Sequence, residues 1–311
     1  MERVLVTGGA GYLGSVLTGR LLDAGYHVTV VDNLLYRQQS LLPYCADRNF
    51  DFIYGDCRDE ATMKAALTKA DVILPMAAIV GFPACARDPI SAKTVNHEAV
   101  ALLNRIRSSN QRVIYPTTNS GYGATSGAVF CTEETPLAPI SLYGITKCDA
   151  EKVLLDSRNA ITLRLATAFG ISPRMRLDLL VNDFTWQAVV NGAIVIFEKD
   201  FKRNFCHVRD IADCFRFCIE HYDTMKGEPY NIGLNEANMS KQELAELIKR
   251  HVPGFYIHYA EIGSDPDKRN YVVSNAKINK KGFSAKITLD EGVRELLTGY
   301  TILSKRPHTN L

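Results

Sequence analysis

Short β-branched runs alternate with longer segments whose apolar residues recur every three or four positions through the first half of the chain. Arg3–Thr7, His27–Val31, Phe50–Tyr54, Val72–Leu74, Arg112–Tyr115 and Ala160–Leu165 read as strands. Between them a segment from Gly11, Glu60–Lys69, Pro89–Ser108 and Ser141–Asp156 carry the helical period. This alternation predicts an α/β fold of Rossmann type, a doubly wound parallel sheet covered on both faces. After Ala166 the pattern is less regular. Helices are expected over Leu179–Asn191 and Val208–Tyr222, and another from Ser240, which with Glu243 forms a capping box. The reading places one domain over 1–166 and a smaller α/β domain over 167–303, whose strands and helices can cross over, with a polar, frayed tail at 304–311.

Charge and cysteine content narrow the class. The 311 residues carry 36 Lys and Arg against 34 Asp and Glu, a balance without the basic excess of a nucleic-acid-binding chain. An uninterrupted apolar run of about 18 residues, as a membrane span needs, is lacking. Met1-Glu2-Arg3-Val4 leads straight into a strand, leaving no room for a signal peptide. The eight cysteines include no CxxC pair and no zinc-type histidine spacing, so no metal is expected and a reducing, cytoplasmic setting is. Cys214 and Cys218, one helical turn apart, read as small apolar residues on a buried helix face.

Candidate chemistry begins at Gly8-Gly9-Ala10-Gly11-Tyr12-Leu13-Gly14, between the first strand and the first helix. Gly8 permits a tight turn, Gly11 lets backbone approach a pyrophosphate, and Gly14 allows close helix–strand packing. The helix start at Tyr12 and Leu13 then offers free amides and a positive dipole end to phosphate. Asp32 closes the second strand, where a carboxylate would accept bonds from the adenosine ribose hydroxyls. A ribose 2′-phosphate would meet like charge there, and Asn33 beside it adds no cation, so NAD is expected over NADP, although Arg37 stands near. Tyr143 and Lys147 lie four apart on one helical face. A lysine cation and the charge of an oxidised nicotinamide would lower the phenol's pKa, letting Tyr143 take a proton from a substrate hydroxyl. Thr118, in Thr117-Thr118-Asn119-Ser120-Gly121-Tyr122-Gly123, follows a strand and can hydrogen-bond the reacting oxygen.

With these motifs in place, the chain resembles the extended short-chain dehydrogenase/reductases, specifically the nucleotide-sugar epimerases, dehydratases and dehydrogenases. The resemblance runs through Gly55-Asp56-Cys57, Met76-Ala77-Ala78, Asn96, Arg203–Asp210 and Arg269. It implies that Asp56 and Cys57 contact adenine, that Ala77 and Ala78 line the nicotinamide side, and that Asn96 belongs to the cofactor site. By the same resemblance Asn182 hydrogen-bonds a substrate diphosphate that Arg203 and Arg269 neutralise, with Arg176 a further candidate. Gly81–Cys85 would wall the nicotinamide, and His207 would pack beneath the substrate arginine rather than act as a base.

Two departures narrow the reaction. The family's 4,6-dehydratases follow the catalytic threonine with Asp-Glu; here Asn119 and Ser120 stand there, placed to meet substrate but unable to act as carboxyl acid or base. Members that epimerise and then reduce use a cysteine where Ser120 lies. What remains is oxidation at sugar carbon 4. The segments 118–123, 171–184 and 265–269 are similar to those of the GDP-D-glycero-D-manno-heptose 4-dehydrogenases of capsule pathways. That resemblance implies a 4-keto product and 2-oxoglutarate as the acceptor that restores NAD. A 4-epimerase of a UDP- or GDP-hexose would use the same residues, and a dinucleotide-sensing protein without catalysis is a distant third. The resemblance also implies a homodimer, with Pro89–Ser108 and Ser141–Asp156 pairing as a four-helix bundle.

Overall fold

A computed structural model describes residues 1–125, 130–157, 159–263 and 269–304. Seven parallel strands form the main sheet: β1 (Arg3–Thr7), β2 (His27–Asp32), β3 (Phe50–Tyr54), β4 (Val72–Pro75), β5 (Arg112–Thr118), β6 (Ala160–Leu165) and β7 (Pro229–Ile232), in the order β7-β6-β5-β4-β1-β2-β3. Val4, Leu5 and Val6 are all buried, as expected of a central parallel strand covered on both faces. The strand order reverses beside β1. In such sheets the crevice outside the carboxyl ends, at that reversal, is where ligand sits. Gly8 follows β1, Asp32 ends β2, Ala77 follows β4 and Thr118 ends β5, so the motifs converge on one edge.

Two layers of helix cover the sheet. Leu17 and Leu21 of the Tyr12–Asp23 helix share a core with Ile211, Phe215 and Cys218 of the Val208–Glu220 helix. On the other face Met63, Leu103 and Leu154 pack with Val113 and Tyr115. A separate core, with Phe169, Phe184, Phe205, Leu244, Val293 and Tyr300, supports the second lobe. Cys214 and Cys218 are fully buried, which agrees with their reading as small apolar residues. The Ser240–Glu243 capping box forms as the spacing predicts. Among the described residues no helix is long and apolar enough to cross a membrane.

Three features add to the sequence reading. The Val208–Glu220 helix and β7 return to the first sheet, so residues 208–232 complete the dinucleotide half although they follow residue 166. The expected Pro89–Ser108 helix is interrupted: α-helical Pro89–Lys93 and Ala99–Ile106 flank a π-turn at Thr94–Glu98. A π-turn inserts a residue into the helical ladder and is frequent at functional sites; here it holds Asn96 fully buried. Finally, Leu289–Ser304 is a helix. Its signals were present: a Thr288–Glu291 box, with each side chain bonded to the other residue's amide, then Leu289, Val293, Leu296 and Tyr300 on one buried face. Of the tail expected at 304–311, residues 305–311 lie outside those described.

Candidate active site

The glycine loop is built by close main-chain approach. Gly8 has φ +70°, and a Cβ there would stand 2.6 Å from the backbone of Ala77. A Cβ on Gly14 would lie 2.5 Å from the Gly8 carbonyl. The following helix starts at Gly11 with no side-chain cap and no acidic residue in its first turn. Among the described residues, therefore, no side chain caps its leading amides and no first-turn acid opposes its dipole, an arrangement that fits a pyrophosphate. Tyr12 contributes here through its main chain, because its buried hydroxyl donates instead to the Gly170 carbonyl at 2.7 Å. Leu13 is partly buried against the first core.

At the adenosine end the acids are already engaged. Asp32 accepts from the Ala10 amide at 2.9 Å and the Leu34 amide at 2.8 Å, fixing the glycine loop to the turn after β2. Burial raises its pKa, against the pull of those amides. Asn33 donates to Asp56 at 3.3 Å, and Asp56 takes a two-pronged bond from Arg58 that holds its carboxyl at about 2. Cys57 packs toward the core beneath the sheet. Gln38 and Ser40, which no motif flags, also reach this turn: Gln38 donates to Asp32 at 3.5 Å and Ser40 to the Ala10 carbonyl at 2.7 Å. Leu34 and Arg37 hold φ of 50° and 51°, a conformation rare for residues with a side chain.

The wall over the nicotinamide side is held from behind. Asn96 accepts from the Ile79 amide at 2.8 Å and donates to the Ile79 carbonyl at 2.9 Å and to Thr146 at 3.2 Å. Its amide is thus spent on protein, making it a brace for the Ala77-Ala78-Ile79 loop rather than a direct ligand. The Ala77 amide faces the Thr7 hydroxyl at 3.4 Å, and Ala78 keeps part of its surface open. Phe82–Arg87 is a short helix whose Cys85 thiol donates to the Ile79 carbonyl at 3.2 Å.

Tyr143 and Lys147 project from the Leu142–Asp156 helix, which Ser141 caps by accepting from the Gly144 amide. Gly144 lets the helix start pack against the segment before it: a Cβ there would lie 2.9 Å from the Pro139 side chain. Burial pushes the Tyr143 phenol up to about 12, opposed by Arg176, Arg269 and the Thr118 hydroxyl. Lys147 is buried with its ammonium 3.9 Å from the centre of the Tyr115 ring, and desolvation pulls it down to about 7. Among the described residues it meets that ring and no oxygen, so its N–H donors suit the hydroxyls of a bound nucleoside. Thr118 donates to Ser120 at 3.0 Å, and Arg269 donates to the same Ser120 oxygen. Asn119 is fully buried, and among the described residues neither of its amide atoms has a partner.

In the second lobe the expected diphosphate ligands are arranged differently. Asn182 is buried; its oxygen accepts from the Gly170 amide at 3.0 Å, and its nitrogen donates to Tyr12 at 3.2 Å and to the Arg176 carbonyl at 2.9 Å. That use of every site corrects the expectation of a direct phosphate bond; Asn182 positions the segment bearing Arg176. Arg176 itself pairs with Asp178 near Tyr143. Arg203 is buried, bonded to the Lys202 carbonyl and 5.5 Å over the Tyr271 ring. His207 sits edge-on to Phe169 and 3.3 Å from Glu295, and caps the following helix at the Arg209 amide, so it supports the lobe rather than Arg203. Of the 265–269 segment only Arg269 lies within the described residues.

The family model described as the NAD dependent epimerase/dehydratase family matches residues 4–233. The chain is 28% identical to UDP-arabinose 4-epimerase 1 of Arabidopsis thaliana, over 86% of this chain and 74% of that protein. It is 27% identical to the low-salt glycan biosynthesis protein Agl12 of Haloferax volcanii, over 96% and 98%. A solved UDP-glucose 4-epimerase of Thermotoga maritima, with UDP-glucose, is 25% identical and superposes with a TM-score of 0.84 over 97% and 99% of the two chains. The UDP-glucuronic acid 4-epimerase of Bacillus cereus, in complex with UDP-glucuronic acid and NAD, shares the fold at a TM-score of 0.86, 24% identity and the same coverage.

Proposed function

Because this chain belongs to the NAD dependent epimerase/dehydratase family, and so is an NAD-dependent enzyme of nucleotide-sugar epimerase/dehydratase type, we propose that it oxidises the C4 hydroxyl of a nucleotide-activated sugar, a GDP-heptose, to the 4-keto sugar. The observation that carries this reading is the turn after β5, which sets Thr118 beside Tyr143 with an amide and a hydroxyl where elimination would need carboxyl groups. NAD, when bound, accepts the hydride from the sugar carbon. Tyr143 takes the hydroxyl proton; burial works against its phenolate, Arg176 and Arg269 favour it, and the charge of Lys147 one helical turn away and of an oxidised nicotinamide, when bound, would add to them. Thr118, whose own proton is turned to Ser120, offers a lone pair to the reacting hydroxyl and orients it. The unpartnered Asn119 amide supplies two donors and an acceptor for a sugar hydroxyl.

Cofactor contacts in this reading come from the close main-chain approach at Gly8 and Gly11, whose amides bond the Val31 and Gly8 carbonyls, from the amides of Tyr12 and Leu13, from Asp32, Asn33, Asp56 and the Cys57 main chain, and from Ala77, Ala78, Tyr143 and Lys147. Arg176, Arg203 and Arg269 hold the diphosphate, and 2-oxoglutarate restores NAD. Ile90 and Ile145, exposed on the two helical segments, support a homodimer through those faces. A second reading, a nucleotide-sugar 4-epimerase, is favoured by the names of the relatives and uses the same residues. Purified protein incubated with GDP-heptose and GDP- and UDP-hexoses, with and without 2-oxoglutarate, separates the two by mass spectrometry. A product lighter by two hydrogens supports the dehydrogenase; unchanged mass with inverted C4 overturns it in favour of the epimerase.

A further inference from the structure

The helix that carries Tyr143 and Lys147 also carries Glu151, one turn beyond Lys147 and almost fully buried. Glu151 accepts from Arg164 of β6, at 3.0 Å from Nε and 2.7 Å from the terminal nitrogen, and from the Thr162 hydroxyl at 3.2 Å. Arg164 is buried too, and its remaining terminal nitrogen donates to the Tyr122 hydroxyl at 3.1 Å and the Glu133 carbonyl at 3.0 Å. Tyr122 in turn donates to the Asn231 side-chain oxygen of β7 at 2.7 Å. One guanidinium thus ties the catalytic helix to the turn that begins at Thr118.

The turn is also held from the side, by the Ala138 amide on the Gly121 carbonyl at 2.8 Å and by Arg269 on the Ser120 hydroxyl. It is a single 3-10 turn, Asn119–Tyr122, followed by Gly123 at φ +71°. It also meets the helix by close approach: a Cβ on Gly121 would lie 2.8 Å from the Cys148 sulfur. Tyr122 is the side chain of the turn that reaches down into the sheet, and it is 2% exposed. Paired charges in such surroundings are strong and directional, so they fix relative positions well.

We propose that Tyr122, held between Arg164 and Asn231, is a positioning residue that sets the Thr118 hydroxyl in register with the Tyr143 phenol, with Glu151 anchoring Arg164 to the catalytic helix. The inference rests on the reading of Thr118 as a group that touches the reacting oxygen. It implies that loosening the hydroxyl of residue 122 acts on the reaction only through residue 118.

The test uses the full chain as Tyr122→Phe, Thr118→Ala and the double variant. Two readouts are taken. One is hydrogen–deuterium exchange of the peptide spanning 118–123, where the Ser120 amide bonds the Thr118 hydroxyl at 3.1 Å. The other is the single-turnover rise in reduced-nicotinamide absorbance with GDP-D-glycero-D-manno-heptose as the probe. Tyr122→Phe is expected to speed exchange in that peptide without changing the 142–156 helix. It should slow the single turnover about tenfold, the scale of a sub-ångström misplacement, at an unchanged half-saturating substrate concentration. In the Thr118→Ala background the same change is expected to cost nothing further. Unchanged exchange, or losses that multiply in the double variant, overturns the proposal. If Thr118→Ala itself keeps the full rate, the reading of Thr118 fails, and the exchange result still decides whether Tyr122 holds the turn.

Discussion

The dinucleotide half and the substrate lobe present the same kinds of residue in different ways. In the first, recognition is built from main chain: Gly8 and Gly14 admit approaches that no Cβ could share, and Asp32 is committed to two loop amides. In the second, recognition depends on side chains that hold one another, as Asn182 holds Tyr12, Gly170 and the Arg176 carbonyl. A main-chain cradle is fixed by backbone conformation. A side-chain constellation is re-dealt by each change of partner. The lesson is that the cofactor end can be assigned from local spacing, whereas the substrate end is decided by contacts distant in sequence.

The largest expected effect lies at the seam between the two. Tyr143→Phe should lower single-turnover oxidation by roughly a thousandfold, the scale of a positioned acid–base group, while NAD affinity by calorimetry stays within about twofold. Loss of both together would mean that the phenol belongs to the cofactor cradle instead. Gly8→Ala comes next, since it places a methyl group against the Ala77 backbone at a positive φ. NAD affinity should weaken by about tenfold or more, the equivalent of the 1–3 kcal/mol such strain costs. Normal affinity would break the claim that main chain builds this half.

Asn182→Ala should sharpen the contrast from the other side. With its three bonds gone, the Arg176 segment is released, and the substrate concentration for half-saturation should rise about tenfold. NAD binding should change by less than about twofold, since the leading amides of the Tyr12 helix need no help from Asn182. The smallest effect is on stability. Lys147 is held at about 7 against an ordinary 10.5, so between those values the folded chain binds fewer protons than the unfolded one. Stability contributed by this group therefore rises with pH across that window, and its penalty is greatest below about 7. Lys147→Met should raise the melting temperature of the NAD-free protein by about 2–4 °C near pH 6 and by less near pH 10, read by calorimetry. A lower melting temperature at both would show the ammonium to be a structural cation.

How far the sequence anticipates this structure follows the same division. Strands β1 and β6 fall on the expected runs, because strands buried inside a parallel sheet are largely apolar with polar borders, and the half-exposed edge strand β3 keeps its expected bounds as well. The Ser240 box and the Ser141 cap are local and equally readable. The Leu289–Ser304 helix was readable too, from its Thr288–Glu291 box and apolar stripe. The π-turn at Thr94–Glu98 was not, since it is held by Asn96 reaching the Ile79 backbone, a contact 17 residues away. The return of β7 to the first sheet and the Arg164–Tyr122 bond likewise join distant segments with no local mark. Within the site, Gly8, Gly11, Gly14, Tyr143, Lys147 and Thr118 are brought to one edge of the sheet. Asn182, Asn96 and His207 turn inward, because nothing in a residue's type says whether its polar atoms are already spent.

The central claim, that hydride leaves sugar carbon 4 as Tyr143 takes the hydroxyl proton, has one direct measurement. GDP-heptose deuterated at C4 is mixed with the NAD-loaded protein in a single turnover, and the enzyme-bound nucleotide and the sugar are weighed separately. The account predicts deuterium on the reduced nicotinamide, a sugar oxidised at C4, and a slowed rate that disappears as signal in Tyr143→Phe. Deuterium retained on the sugar, with no reduced nicotinamide formed by the unaltered protein, would contradict it.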